Sequence, residues 1–271
     1  MTHKFYPEFW TSSWPKDYFC YDIKRICELY KEKITKAFED PQRSADELQK
    51  KMLEHPDEYC EGIQDESDFS YMMEKRIFHE YDIIKDMQYR TRLLWICCIL
   101  EIWEQNLSRC IVQDLNNSRV NEGDKLTDSQ ENNLYNGLST FKLLFSNRMF
   151  EKSNRKCTLE GLNEKCVLEE FPRYKEIEEL NYLVNAIKHG QGQSLDNLYK
   201  RYPKYRIKGQ GIHEMFAETI IFTQTLNVND DDFFRFGDVL IDFWRWIPRH
   251  IVITNLNDFK DKILDKNKGG S

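Results

Sequence analysis

The residue types best suited to chemistry lie between positions 174 and 192, Tyr-Lys-Glu-Ile-Glu-Glu-Leu-Asn-Tyr-Leu-Val-Asn-Ala-Ile-Lys-His-Gly-Gln-Gly. Wound as a helix, Ile177, Leu180, Leu183, Val184 and Ile187 form one apolar stripe. Asn181, Asn185 and His189 stand four residues apart and stack as a polar stripe along its border. His189 then sits near the helix C-terminus, where the dipole favours a protonated imidazole. An edge position, neither buried in the core nor fully solvated, suits proton transfer near neutral pH. The other reading is structural, because a histidine before a glycine at a helix end is often a C-terminal cap.

Ten residues on, positions 199–208 read Tyr-Lys-Arg-Tyr-Pro-Lys-Tyr-Arg-Ile-Lys. Lys200, Arg201, Lys204, Arg206 and Lys208 are candidate nucleic-acid contacts, since cations meet phosphate and tyrosines stack on unpaired bases. Read without a function, the same stretch is a solvated loop that balances an acidic surface. Other chemistry has less support. Glu101 lies in an apolar run and reads as a buried, hydrogen-bonded carboxylate before it reads as an acid catalyst. Arg76 and His79 are three apart on a helix but face solvent, and His213 and Glu214 follow a Gly-rich loop without an identifiable partner. No Gly-x-Ser-x-Gly, His-Glu-x-x-His or phosphate-loop motif occurs. Of the eight cysteines none forms a Cys-x-x-Cys pair. The Cys157 and Cys166 spacing is poor for zinc, so neither a metal nor a cofactor is expected. Cys97 and Cys98 read as small core residues.

These residues need helices to hold them. Ile23 to Phe38 has helical spacing, and Ser44 opens a short helix to about Leu53 through a capping-box pattern. Residues 55–68 read as an acidic loop. Residues 70–116 carry the clearest period, with Phe78, Tyr81, Ile84, Leu94, Cys97, Cys98, Ile102, Asn106 and Cys110 near one another on the wheel. From Leu93 to Leu107 that helix is apolar nearly all round, which places it centrally in a bundle. Further helices are expected over 130–147, from Pro172 to Lys188, from Ser194 to Tyr199 and from Asp230 to Trp246. Residues 148–171 are ambiguous, 213–226 suit a short helix or strand, and 250–254 form a short β-branched tail.

Composition agrees with helices. Eleven glycines and seven prolines in 271 residues are roughly half the usual share. A β-sandwich needs frequent turns, and a dinucleotide or phosphate-loop fold needs clustered glycines, so both are disfavoured. Four of the glycines (190, 192, 209, 211) fall just after the candidate histidine. With 40% hydrophobic and 14% aromatic residues the chain can build a core. A net charge of −7 makes any nucleic-acid contact local. No apolar stretch is long enough for a transmembrane helix and no secretory signal is evident, so a cytoplasmic protein with no membrane contact is expected. Disulfides are not expected there. The expected organisation is an N-terminal extension packing on the core (1–69), a helical domain (70–254) and a tail (255–271) ending in Gly-Gly-Ser, which looks like a linker scar.

The hexapeptide Asn185-Ala-Ile-Lys-His-Gly190, preceded by a Leu-rich helix, resembles the motif helix of the HEPN superfamily, whose pattern is Arg-Asn-x-x-x-His within a broader Arg-x4–6-His rule. Residues 90–107 are similar to the first long helix of that superfamily, and the order of helices over about 70–250 is similar too. The resemblance implies an all-α, HEPN-like helical bundle with an N-terminal helical extension, often a homodimer with two motif helices facing across a cleft. It also implies a metal-independent endoribonuclease of toxin, abortive-infection or antiviral defence systems. His189 would be the general acid or base for attack of the RNA 2′-hydroxyl, and Asn185 would orient it or the phosphate. Lys188 completes the candidate set. The family arginine would fall at Val184, Leu183 or Tyr182, none of them basic. Losing such a donor costs about 10²–10³ in rate, and Lys188 lies about 100° away around the helix. The alternative is a non-catalytic interaction module that dimerises or docks on an antitoxin or a defence-complex subunit, and a third reading is RNA binding without cleavage. A Val184→Arg exchange is expected to separate an impaired site, which it would revive, from one that no longer admits RNA.

Overall fold

The computed structural model describes residues 8–9, 11–38, 40–59, 65–117, 150–152, 164–165, 171–190, 192–207, 225–247 and 251–253. The fold is an all-α helical bundle. Its helices are α1 (Lys16–Leu29), α2 (Thr35–Ala37), α3 (Pro41–Glu54), α4 (Pro56–Tyr59), α5 (Glu66–Asn117), α6 (Tyr174–His189), α7 (Gln193–Arg201) and α8 (Asp230–Trp246). A π-helical turn, Tyr30–Ile34, joins α1 to α2. The expected helix over 130–147 and most of 213–226 lie outside the described residues. Four short strands, β1 (Glu8–Phe9), β2 (Phe150–Lys152), β3 (Glu164–Lys165) and β4 (Ile251–Ile253), form an antiparallel fringe in the order β1-β4-β2-β3. The β-branched residues at 251–253 thus pair as strand, as their type favours.

The chain divides into two compact units, each assembled from segments remote in sequence. The first takes its described residues from Met1–Lys24, Cys98–Asn181 and Arg235–Ser271. Its core is aromatic: the rings of Phe19 and Trp244 are 4.7 Å apart, and Trp103 meets Phe243 edge-on at 5.0 Å. Trp14 donates from Nε1 to Asp114 Oδ2 at 2.8 Å, which satisfies an indole that is otherwise buried. Around this core runs an ion-pair network. Arg173 forks onto both oxygens of Glu176 (2.7 and 3.0 Å) and reaches Asp242 at 2.7 Å. Arg235 donates to Glu176 at 3.1 Å and to the buried Glu179 at 2.6 Å.

The second unit comprises Arg25–Cys97 and Tyr182–Phe234. Tyr30 packs against Phe233 at 4.4 Å and Trp95 at 5.5 Å, and its hydroxyl donates to Asp230 Oδ1 at 2.8 Å. The same oxygen accepts from Arg92 Nε at 2.6 Å. Burial first, and then the bond to Asp230, push the Tyr30 phenol well above its ordinary range, so it stays a neutral donor. The start of α8 is set by Asn229 and Asp232, each accepting the other's backbone N–H (3.0 and 3.3 Å).

Four expectations change. Helix α3 starts at Pro41, not Ser44, because Asp40 caps it by accepting from Gln42 N at 3.0 Å and proline suits the first turn. Ser44 bonds Glu80 instead, at 3.2 Å. The stretch 55–68 is not all loop: it holds α4 and the first turn of α5. Third, α5 is not sheathed all round. Between Leu93 and Val112 the buried positions, among them Leu93, Ile96, Ile99, Leu100, Trp103, Leu107, Cys110 and Val112, cover well over half of the circumference. One strip stays open: Leu94 is 55% exposed, and Cys98, Glu101, Gln105 and Arg109 follow it at three-and-four spacing, while nearer the start of the helix Phe78 is 62% exposed. Finally, Cys98 and Glu101 are exposed where core positions were expected, while Cys97 is buried. Arg76 and His79 are exposed, as expected.

Candidate functional site

Helix α6 ends where the sequence indicates. Gly190 takes φ +71°, and its N–H donates to the Ala186 carbonyl at 3.0 Å, closing the helix in a left-handed cap. His189 is the last helical residue and is exposed, as is Lys188, whereas Asn185 is half-buried. The imidazole is therefore more solvated than the edge position expected of it. Leu183, Val184, Ala186 and Ile187 are all buried. Of the three positions the family arginine would occupy, only Tyr182 looks outward, and it is half-buried. Tyr182, Asn185 and His189 are three and seven residues apart and share one face of α6. They span about 10 Å along its axis.

The basic stretch is folded, not a free loop. It runs through α7, a 3₁₀ turn (Pro203–Tyr205) and a bridge between Arg206 and Leu226. Tyr199 donates to the Thr225 carbonyl at 2.8 Å, Asn227 N donates to the Tyr205 carbonyl at 2.8 Å, and Leu226 N donates to the Tyr89 hydroxyl at 3.2 Å. Burial raises the phenols of both Tyr89 and Tyr199 above their ordinary range, so they serve here as neutral hydrogen-bonding groups. Tyr205 is 0% exposed and cannot stack on a base. That corrects part of the expected RNA contact, and the cause is that an aromatic ring in a short apolar-poor segment is pulled into the core for its buried area.

The tyrosines instead carry the cations. The Arg201 guanidinium lies over the Tyr182 ring at 4.9 Å, Arg206 over Tyr199 at 5.9 Å and the Lys204 ammonium over Tyr205 at 5.0 Å. Lys204 also stands 3.9 Å from Asp232 Oδ1. Lys200, Arg201, Lys204 and Arg206 are all exposed, and Lys208 lies outside the described residues. Within this unit the structure thus joins Arg201 to the helix that carries Asn185 and His189, through Tyr182 and through the Tyr182–Tyr202 ring contact at 6.0 Å. No signal in the sequence pairs Arg201 with Tyr182, because a contact across nineteen residues has no local pattern. His213 and Glu214 lie outside the described residues, as do Cys157 and Cys166.

Helix α7 is presented by Gly192, at φ +122°, which accepts the N–H of Asp196 at 3.0 Å. Nothing stands within 4 Å of where a Cβ would go. Gly192→Ala is therefore expected to lower stability by about 2 kcal/mol through backbone strain alone. Denaturant unfolding reads this directly, and an unchanged midpoint would contradict it.

Among the described residues no group of His, Cys, Asp and Glu could hold a metal ion, and no helix is long and apolar enough to cross a membrane. No family model matches the chain, and comparison with curated proteins and with solved structures finds no match either.

Proposed function

We propose that the chain is a HEPN-like, metal-independent endoribonuclease of a cytoplasmic defence or toxin system, acting as a homodimer with His189 as general base. The observation that supports this reading is the face of α6 on which half-buried Asn185 and exposed His189 stand with Tyr182, the ring beneath the Arg201 guanidinium. In the step envisaged, His189 takes the proton of an RNA 2′-hydroxyl. The 2′-oxygen forms a bond to the adjacent phosphorus, the bond to the 5′-oxygen breaks, and the departing oxygen collects a proton from solvent. Asn185 orients the imidazole or a phosphate oxygen, and Lys188 adds positive charge beside it. Lys200, Lys204, Arg206 and Lys208 attract the RNA backbone in a chain that is acidic elsewhere.

His189→Ala is the decisive exchange. It is expected to cost about 10²–10⁴ in cleavage of single-stranded RNA by the pure protein, and to remove toxicity on overexpression. Equal activity of the variant and the parent chain would sink the catalytic reading. A second reading, a non-catalytic module that dimerises or docks on an antitoxin or a defence-complex subunit, is favoured by the buried Val184 and by the capping role of the His189–Gly190 turn. It is selected if RNA is neither cut nor bound while the chain self-associates or holds a protein partner.

A further inference from the structure

Helix α5 carries an uncovered strip of regular spacing. From Ser67 to Gln88 none of its residues is buried, although ten of those twenty-two are apolar or aromatic. Ile83 is 41%, Met87 52% and Leu94 55% exposed. On the helical wheel these three fall within about 40° of one another. Arg76, Glu80 and Arg90 lie on the same strip, exposed or half-buried. The run Arg76, Glu80, Ile83, Met87, Arg90, Leu94 advances by four, three, four, three and four residues. That alternation is the one by which a helix packs along another helix. All six residues belong to the second compact unit.

We propose that this strip is an interface between two copies of the chain, which lay α5 against α5 in antiparallel. The spacing reads the same from both ends, so a two-fold axis level with position 85 carries the run onto itself, as an isologous interface requires. Under that axis Ile83 meets the partner's Met87, and Glu80 meets the partner's Arg90. The alkyl stem of Arg76 then lies along the partner's Leu94. Charge selects both the occupant and the direction. An acid before the central apolar pair and a base after it make the strip complementary to its own reverse. In a parallel pair Glu80 would face Glu80 and Arg90 would face Arg90, and opposed like charges disfavour that arrangement. Arg90 also reaches Asp86 at 3.4 Å, a pair whose side chains are 36% and 37% exposed. Glu80 accepts from Ser44 at 3.2 Å. A guanidinium and a carboxylate each have further sites for a second partner. Within one chain Glu80 and Arg90 are ten residues apart, about 15 Å along the axis, and cannot meet. The pairing goes beyond the proposed reaction, since it uses no residue of α6 and holds whether or not the chain cleaves RNA.

The full chain is tested by sedimentation equilibrium across the micromolar range. The parent chain is expected to be a reversible dimer. Leu94→Glu should weaken self-association at least about tenfold, with an unchanged far-ultraviolet circular dichroism spectrum because the position is exposed. Glu80→Arg and Arg90→Glu should each weaken it by a similar factor, since each sets like charges opposite one another across the pair. The two exchanges combined in one chain place a base opposite an acid again, and should restore association to near that of the parent. A parallel pair would give neither the losses nor the rescue. A parent chain that is monomeric throughout would overturn the proposal, because a second copy is then not what the strip receives. So would a dimer that Leu94→Glu leaves intact, which would place the contact on another face. A combined variant no better than the single ones would overturn the antiparallel register. RNA cleavage by His189→Ala bears on none of these outcomes.

Discussion

An arginine introduced at Val184 is expected to unfold the unit that contains it rather than to revive an RNA-cleaving site. Sequence spacing alone recommends that exchange, because position 184 stands five residues before His189. The packing reverses the expectation. Val184 is only 2% exposed, between Leu183 at 0% and Ile187 at 2%. A guanidinium there would lose its hydration, which costs several kcal/mol, and its length adds an overpacking cost. We expect a loss of about 4 kcal/mol or more, read as a large drop in the denaturant midpoint or as insoluble protein. Tyr182→Arg, two residues away at a half-buried position, should cost about 1 kcal/mol. A soluble Val184→Arg protein with an unchanged midpoint would show that α6 can turn that face to solvent, contrary to the structure.

Arg235→Ala carries the second large effect. Arg235 donates to Glu179, whose side chain is 9% exposed, and to Glu176. Removing it leaves a buried carboxylate without this cation, and such losses run to about 3–5 kcal/mol. The exposed pair Arg43–Glu47, at 73% and 47%, is the internal control and should be worth less than about 0.5 kcal/mol. The network also sets an acid response. Burial alone would raise the Glu176 carboxyl, but hydrogen bonds from Arg173 and Arg235 outweigh it and hold the group below its usual range. A carboxyl depressed in the folded state stabilises at pH above its ordinary value, and that stability is lost as the pH falls through the folded value. Unfolding free energy should therefore fall more steeply on acidification in the parent chain than in Arg235→Ala. Parallel curves for the two proteins would remove Arg235 from the account.

Where the sequence is legible, local rules suffice. Asp230 to Trp246 is a helix at the ends expected, because three acids favour its N-terminus and Pro248 stops it. The C-terminus of α6 is read from one glycine, since a left-handed cap needs no tertiary partner. The start of α3 lies at Pro41 and not at Ser44, although the rules that set it are just as local. Asp40 and Ser44 are both competent caps by type, and the choice fell to Pro41, which fixes the first turn earlier. On α5 the apolar residues outnumber the positions its neighbours can cover. Composition there cannot tell Leu93, which is buried, from Leu94, which is not.

The candidate site divides in the same way. By itself the sequence determined the helical class, the placing of Asn185 and His189 on one face of a terminal turn, and the concentration of cations and tyrosines soon after it. All of these depend on neighbours within a few residues, where helix geometry is fixed. Tertiary structure alone decided that Tyr205 is buried, that Val184 has no room for a charge, and that Arg201 rests on Tyr182. Those outcomes depend on which surfaces meet across many residues, and burial and ring–cation contact are energies of such meetings, not of the local chain.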